Sequence, residues 1–144
     1  MAKKTFKKEQ IIIAYTILKD ANLSKLDTVS DKLKVVDAIR MTRPVAKAHD
    51  EDLETARETL RPEALTETQR KIKEDNEISQ LDMVRSTILN NEYGEALTRY
   101  VRERLAEEVE IDLVAFGKPC LDKLIEANPG WTPEQLMVVI DVLG

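Results

Sequence analysis

The chain has 144 residues, of which 42% are hydrophobic and 34% are charged, and its formal net charge is −5. A chain of this length and apolar content can bury the core of one domain without disulfides, and it is too apolar for the disordered class. With only four glycines and five prolines, it lacks the turn residues that all-β folds need, so the composition favours helices.

Targeting and membrane signals are weak in this sequence. The single cysteine, Cys120, cannot form an internal disulfide and gives no sign of an oxidising compartment. The basic start of the chain is followed by an apolar run, Ile11 to Ile13, that is too short for a signal peptide, and no stretch approaches the roughly 18 apolar residues of a membrane span. We therefore expect a cytoplasmic protein with no membrane association.

Charge is unevenly divided along the chain. Residues 1–47 hold 11 Lys and Arg against 5 Asp and Glu, whereas residues 48–144 hold 11 against 22. Opposite net charges in two parts of one chain predict an electrostatic contact, either within the molecule or between neighbouring copies.

The first half of the chain predicts two helices, over residues 7–21 and about 31–60. Apolar residues recur every seven positions along the second helix, at Ile39, Ala46, Leu53 and Leu60. This is the pattern of one arm of a helical hairpin or coiled coil. Pro44 removes a backbone hydrogen bond inside this pattern, so one kinked helix and two helices meeting near Arg43 both stay open.

A further helical region is predicted after residue 65. Thr66 followed by Gln69 is the capping-box pattern that begins a helix, and apolar residues at helical spacing continue to Leu89. We expect a break at residues 90–94, as a turn or a loosened stretch, because asparagines and a glycine interrupt the pattern there. The helical period restarts over residues 96–105.

One segment has the pattern of a strand. Over residues 107–114, Val109, Ile111 and Leu113 alternate with acidic side chains, which is the two-residue period of a half-buried strand. A lone strand leaves its backbone groups unpaired. The segment must therefore pair with a short partner elsewhere, lie extended across helices, or add to another chain.

The last part of the chain predicts a pair of short helices. The second has three start signals that agree: Thr132 as N-cap, Pro133 in the first helical position and Gln135 in the capping-box position. Trp131 is placed to pack against Leu136. Because this helix is apolar nearly all round, we expect it to be buried in a core or an interface.

No catalytic, cofactor or metal site is predicted, and we expect no enzyme. The only histidine, His49, lies between Thr42 and Ala56 in a seam of the second helix, which favours a packing role over that of a catalytic base. Cys120 has no motif around it and is expected to be a buried structural thiol. His49 and Asp52 could supply a metal with two ligands at most from one helix face, whereas a closed site needs four.

A basic row on the second helix is the main feature that favours nucleic-acid binding. Arg40, Arg43 and Lys47 share one helix face, where they could contact phosphates. Against this, the chain is acidic with a pI of about 5.1, and only 4% of it is aromatic. A structural ion-pair row is the favoured interpretation, and nucleic-acid binding is the alternative.

Three short segments carry a family resemblance. They are the opening Lys-Lys-Thr-Phe-Lys-Lys-Glu-Gln, the Val-Val-Asp-Ala-Ile-Arg of residues 35–40, and the Leu-Ala-Glu-Glu-Val-Glu-Ile-Asp-Leu of residues 105–113. The chain thereby resembles small proteins of unknown role that tailed phages and prophages encode, in which a helix pair precedes a charged region and a Glu-Val-Glu-Ile-Asp-Leu-like segment. It departs from that pattern in residues 62–92, which are predicted to be additional helix. The resemblance implies a phage or prophage context, in the host cytoplasm or in a virion, and no catalytic residues.

Together these patterns predict a mainly α fold: a long helical hairpin or small helical bundle over residues 1–106, then a strand-like segment and a C-terminal helix pair over residues 107–144, packed as one unit. The leading hypothesis is a non-enzymatic interaction or assembly protein that binds a protein partner or itself through helix packing and charge complementarity, with no cofactor or small-molecule substrate. Its candidate contact surface consists of apolar side chains from the strand-like segment and the last helix: Val109, Ile111, Leu113, Trp131, Met137, Val138 and Val142. The alternative is a regulatory nucleic-acid-binding protein that uses the basic row.

Overall fold

The computed structural model describes residues 4–65, 67, 70 and 80–144. Its elements in chain order are β1 (Lys4–Lys7), α1 (Lys8–Lys19), α2 (Val29–Leu60), α3 (Gln80–Leu105), β2 (Glu108–Ile111), α4 (Lys118–Ala127) and α5 (Pro133–Leu143). The fold is mainly α, as the composition predicts. In these residues, no helix combines the length and the apolar character that crossing a membrane would require.

The chain forms two compact units. The terminal unit comprises Met1–His49 together with Leu105–Gly144, and the hairpin unit comprises Asp50–Arg104. The first part of the chain thus packs with the C-terminal elements, and the division does not follow the predicted boundary after residue 106. The physical reason is that β1 pairs with β2 and α1 packs on α5, so both ends of the sequence contribute to one core.

The strand-like segment has a partner within the chain. β2 pairs antiparallel with β1, so that Phe6 lies opposite Val109 and Lys4 lies opposite Ile111. The backbone N–H of Lys8 also donates to the carbonyl of Glu107 at 2.8 Å. Of the three arrangements that the sequence left open, pairing with a short partner elsewhere is the one present.

The core of the terminal unit collects apolar side chains from helices that are far apart in sequence. Its largest fully buried side chains include Ile11, Leu18, Val35, Leu124, Val139 and Leu143. Full burial of an aliphatic side chain of this size contributes about 1.5–3 kcal/mol. Asn128 links two segments beside this core, because its side chain forms hydrogen bonds with the backbone of Asn22 on the loop after α1.

α2 is a single helix of 32 residues although Pro44 lies inside it. Of the two arrangements left open near Arg43, one continuous helix is therefore the one present. It begins two residues before the predicted start because Thr28 caps it: the Thr28 hydroxyl accepts a hydrogen bond from the backbone N–H of Asp31 at 3.1 Å.

α3 is also continuous, so the predicted break at residues 90–94 is wrong. Asparagine and glycine lower helix propensity by only about 1 kcal/mol or less each. A tertiary contact opposes that cost, because Tyr93 within this stretch donates its hydroxyl hydrogen to the carbonyl of Arg57 at 2.8 Å. The predicted helix start at Thr66 and Gln69 lies outside the described residues.

The hairpin unit contains the predicted helical hairpin. The Tyr100 hydroxyl donates to Oδ1 of Asp52 at 2.7 Å, while Tyr93 bonds to the backbone of Arg57. Because the later residue of α2 contacts the earlier residue of α3, the second half of α2 and α3 run antiparallel.

The start of α5 is confirmed in detail. The Thr132 hydroxyl accepts from the backbone N–H of Gln135 at 3.3 Å, and the Gln135 side chain accepts from the backbone N–H of Thr132 at 2.9 Å. Pro133 occupies the first helical position. Two of the free donors at this helix end are satisfied by these reciprocal bonds.

Candidate interaction surfaces

The first half of α2 has a buried face and an exposed face. One face packs into the terminal unit, where Val35, Ala38, Thr42 and Ala46 are at most 5% exposed. The Thr42 hydroxyl, the polar group on this face, donates to the carbonyl of Ala38 at 2.8 Å. A second face, on the solvent side of the helix, consists of exposed residues at alternating spacings of four and three: Val29, Leu33, Val36, Arg40, Arg43 and Lys47. We call this face the α2 stripe.

The first half of the α2 stripe is apolar. Val29 is 72% exposed, Leu33 is 52% exposed and Val36 is 39% exposed. Single exposed apolar residues are normal on protein surfaces, but three on successive turns of one helix face form a contiguous patch. An exposed apolar patch that is bordered by charged residues is a candidate contact surface.

The second half of the α2 stripe is basic. Arg40 lies 3.8 Å from Oδ1 of Asp37, but both side chains are largely exposed, so this pair contributes little to stability. Arg43 and Lys47 form no ion pair within the described part of the chain. The structure thus brings the predicted basic row onto one face, and two of its three cations are available to a partner.

α5 presents a second exposed face to solvent. Met137 is 63% exposed and Ile140 is 51% exposed, and the exposed carboxylates of Glu134 and Asp141 flank them. We call these four residues the α5 face. The other side of the helix is buried, with Val139 and its neighbours in the core.

The contact surface predicted from the sequence is divided by the fold. Ile111, Leu113 and Val142 are at most 6% exposed and belong to the core, so they are not available to a partner. Three others, Val109, Trp131 and Val138, are partly buried and pack against the same core. The strand residues are covered because β2 pairs with β1 and turns its apolar side towards the core. Of the seven predicted contact residues, Met137 is the one that lies mostly in solvent.

The structure also places Cys120 and Asp52, two other residues considered for chemistry. Cys120 is buried, and this burial, with a smaller effect of Asp31, raises the pKa of its thiol. A raised pKa disfavours the reactive thiolate at neutral pH. The carboxylate of Asp52 is engaged by Tyr100 and lies 3.7 Å from Nε of Arg104.

His49 is partly buried, and its Nδ1 has no hydrogen-bond partner in the residues that the structure describes. Within the same residues, no group of three or more His, Cys, Asp or Glu side chains could hold a metal ion.

Six exposed members of these two faces could not be singled out from the sequence. They are Val29, Leu33, Val36, Glu134, Ile140 and Asp141. The signal was a second seven-residue pattern on α2, through positions 29, 36 and 43 and positions 33, 40 and 47, beside the pattern used for the core. Because positions 29, 33 and 36 of this second pattern are also apolar, the sequence does not reveal which side of the first half of α2 is covered.

Comparison with known proteins finds no similarity to support an assignment: no protein family, curated protein or solved structure matches this chain.

Proposed function

We propose that this chain is a non-enzymatic assembly protein whose copies bind one another through helix packing and charge complementarity. The observation that carries the proposal is the α2 stripe. A helix face that only meets solvent is normally polar along its length. This face instead has three apolar side chains in line with three basic ones, on the solvent side of the helix and away from the face that forms the core.

The charge distribution provides a partner for this face. The α2 stripe lies in the basic segment of residues 1–47, whereas residues 48–144 hold twice as many acidic as basic side chains, 22 against 11. Another copy of the chain therefore offers acidic surface to the basic half of the stripe. Electrostatic complementarity of this kind fixes the register and the partner of an interface.

The setting that we propose is a phage or prophage, with the protein in the host cytoplasm or in a virion. This part of the proposal is supported by the resemblance of residues 3–10, 35–40 and 105–113 to phage-encoded proteins. Assembly from repeated copies suits that setting, because contacts between unlike surfaces join identical chains into rings or filaments.

Light scattering on a size-exclusion column tests the proposal at about 50 mM and about 1 M salt, since salt screens contacts between exposed charges. The monomer has a mass of 16.4 kDa. We expect a larger mass at low salt that falls towards this value at high salt. If the chain is also monomeric in sedimentation equilibrium at low salt, at protein concentrations up to about 500 μM where contacts this weak are populated, self-assembly is refuted.

Nucleic-acid binding is the second candidate, because Arg40, Arg43 and Lys47 are all exposed on one face. The apolar half of the α2 stripe argues against nucleic-acid binding, since the side chains of Val29 and Leu33 do not bind phosphates. Fluorescence anisotropy with labelled duplex and single strands decides the matter. The logarithm of the binding constant is plotted against the logarithm of the salt concentration. This candidate is favoured if the slope becomes shallower by about one for each cation that is neutralised.

A further inference from the structure

We infer that the α2 stripe of one copy binds the α5 face of the next copy, so that the copies join head to tail. This inference rests on the proposed function, because it names the two surfaces through which the copies associate. Both surfaces belong to the terminal unit, and both are exposed in the single chain.

The apolar parts of the two faces match in spacing. On the α2 stripe, Leu33 and Val36 are three residues apart, and on the α5 face, Met137 and Ile140 are also three residues apart. All four side chains are between 39% and 63% exposed. In an antiparallel contact, equal spacings bring the two apolar pairs side by side, because both helices rise by the same distance per residue.

The charged parts match in the same register when the helices run antiparallel. With Met137 beside Val36, the rise of both helices places Ile140 beside Leu33. One turn away in the other direction, the carboxylate of Glu134 lies beside Arg40.

At the far end of this register, Asp141 lies beside the exposed Lys32 of α2. Neither Glu134 nor Asp141 forms an ion pair in the part of the chain that the structure describes. Each carboxylate thus gains a cation only in the assembled state. Antiparallel helices also place their dipoles in a favourable arrangement.

A contact between two identical stripes is less suitable. Two antiparallel copies of the α2 stripe that share the apolar turns would place Arg40 or Arg43 of one copy against apolar side chains of the other. A charge that is desolvated without a partner is strongly unfavourable. Contact with the α5 face avoids this, because the apolar and charged parts meet their complements together.

The expected affinity is modest. α5 has 11 residues and is therefore about 16 Å long, so the contact buries less than the roughly 1,200 Å² of a standard interface. We expect a dissociation constant of about 10–500 μM at low salt. Sedimentation equilibrium over this concentration range measures it directly.

Two charge-reversal variants test the pairing. The α2 variant is R40E/R43E, and the α5 variant is E134K/D141K; each alone should associate at least about tenfold more weakly than the unmodified chain, because like charges then face each other. Mixed together, they should form a complex, since the α2 variant keeps an intact α5 face and the α5 variant keeps an intact α2 stripe.

The matched control for the α2 variant is K19E/K25E, which makes the same change in net charge at two exposed lysines of the terminal unit outside both faces. It should associate like the unmodified chain. Circular dichroism melts verify that each variant is folded. The single variant Asp141→Lys should fold normally, because it places a cation near a helix C-terminus, where a positive charge is favourable. It should still weaken association.

The outcomes separate the inference from the proposed function. If the unmodified chain is monomeric throughout the concentration range, self-assembly and this inference both fail. If it associates but either folded variant associates equally well, the pairing is overturned while self-assembly stands. If both variants are monomeric and their mixture is monomeric too, a head-to-tail contact between these two faces is refuted.

Discussion

Asn128 joins two segments of the terminal unit through three hydrogen bonds, so its truncation should be among the more costly changes outside the core. Its Oδ1 accepts from the backbone N–H of Asn22 at 2.8 Å, and its Nδ2 donates to the carbonyl of Asn22 at 3.0 Å and to that of Leu124 at 2.8 Å. The two bonds to Asn22 span 106 residues of sequence, and the bond to Leu124 is local to α4. They therefore fix the loop between α1 and α2 against the end of α4.

The magnitude for Asn128→Ala follows from these bonds. Each intramolecular hydrogen bond contributes about 0.5–1.5 kcal/mol net, and the site is partly exposed, so water replaces some of what is lost. We expect a loss of about 1.5–3 kcal/mol in the free energy of unfolding. For a chain of about 150 residues this corresponds to a fall in Tm of roughly 4–10 °C.

Urea denaturation followed by circular dichroism measures this loss. Asn128→Asp is the sharper variant: it keeps the acceptor for Asn22 but turns a carboxylate oxygen towards two carbonyls, so it should destabilise at least as much as alanine. Asn91→Ala, at an exposed position inside α3, is the matched control and should not lower stability, because alanine is the better helix former. An Asn128→Ala protein that loses less than about 0.5 kcal/mol would refute the reasoning.

Three further predictions concern single side chains. Leu124 is fully buried and Leu33 is 52% exposed, so Leu124→Ala should cost about 2–5 kcal/mol of unfolding free energy and Leu33→Ala less than about 1 kcal/mol; equal costs in denaturation would contradict the assigned core. Burial raises the pKa of the Cys120 thiol, so a thiol reagent should modify it at least about tenfold more slowly in the native than in the denatured protein, and similar rates would be incompatible with burial. The hydrogen bond and charge of Lys123, 2.7 Å away, hold the pKa of the Asp27 carboxyl below its ordinary value of 3.8. The resulting stabilisation is present above pH 3.8 and is lost as the pH falls through the pKa of Asp27 in the folded protein. Replacing Lys123 with alanine should raise the pKa of Asp27 towards 3.8, which an NMR titration measures. An unchanged pKa would exclude the pair as the cause of the shift.

The sequence predicted best the parts of the fold that depend on neighbouring residues. The start of α5 is an example, because Thr132, Pro133 and Gln135 act within one turn of each other. The mainly α class and the antiparallel hairpin follow from composition and helical spacing in the same way. The continuity of α3 was missed because the contact that opposes the break, between Tyr93 and Arg57, joins residues 36 positions apart.

Long-range pairing accounts for most of what could not be predicted. β1 contains one buried apolar side chain, Phe6, among exposed polar ones, so its sequence has too little strand pattern to be recognised. Without β1, the apolar residues of β2 remained candidates for a partner, although Ile111 faces the core. The two exposed faces were likewise hidden, since only the packed structure decides which side of α2 is covered.

The pairing of β1 with β2 has a consequence for how the chain folds during synthesis. β1 is made first, yet its partner begins at Glu108, so about 100 residues must follow before the ladder can form, which takes roughly 5–20 s at common elongation rates. Throughout that interval Ile11 and Leu18 of α1 lack the α5 surface that they pack with in the finished core. The nascent chain therefore carries α1 without its α5 contacts until residues 133–143 have been made, and closure of the terminal unit is a late, high-contact-order event.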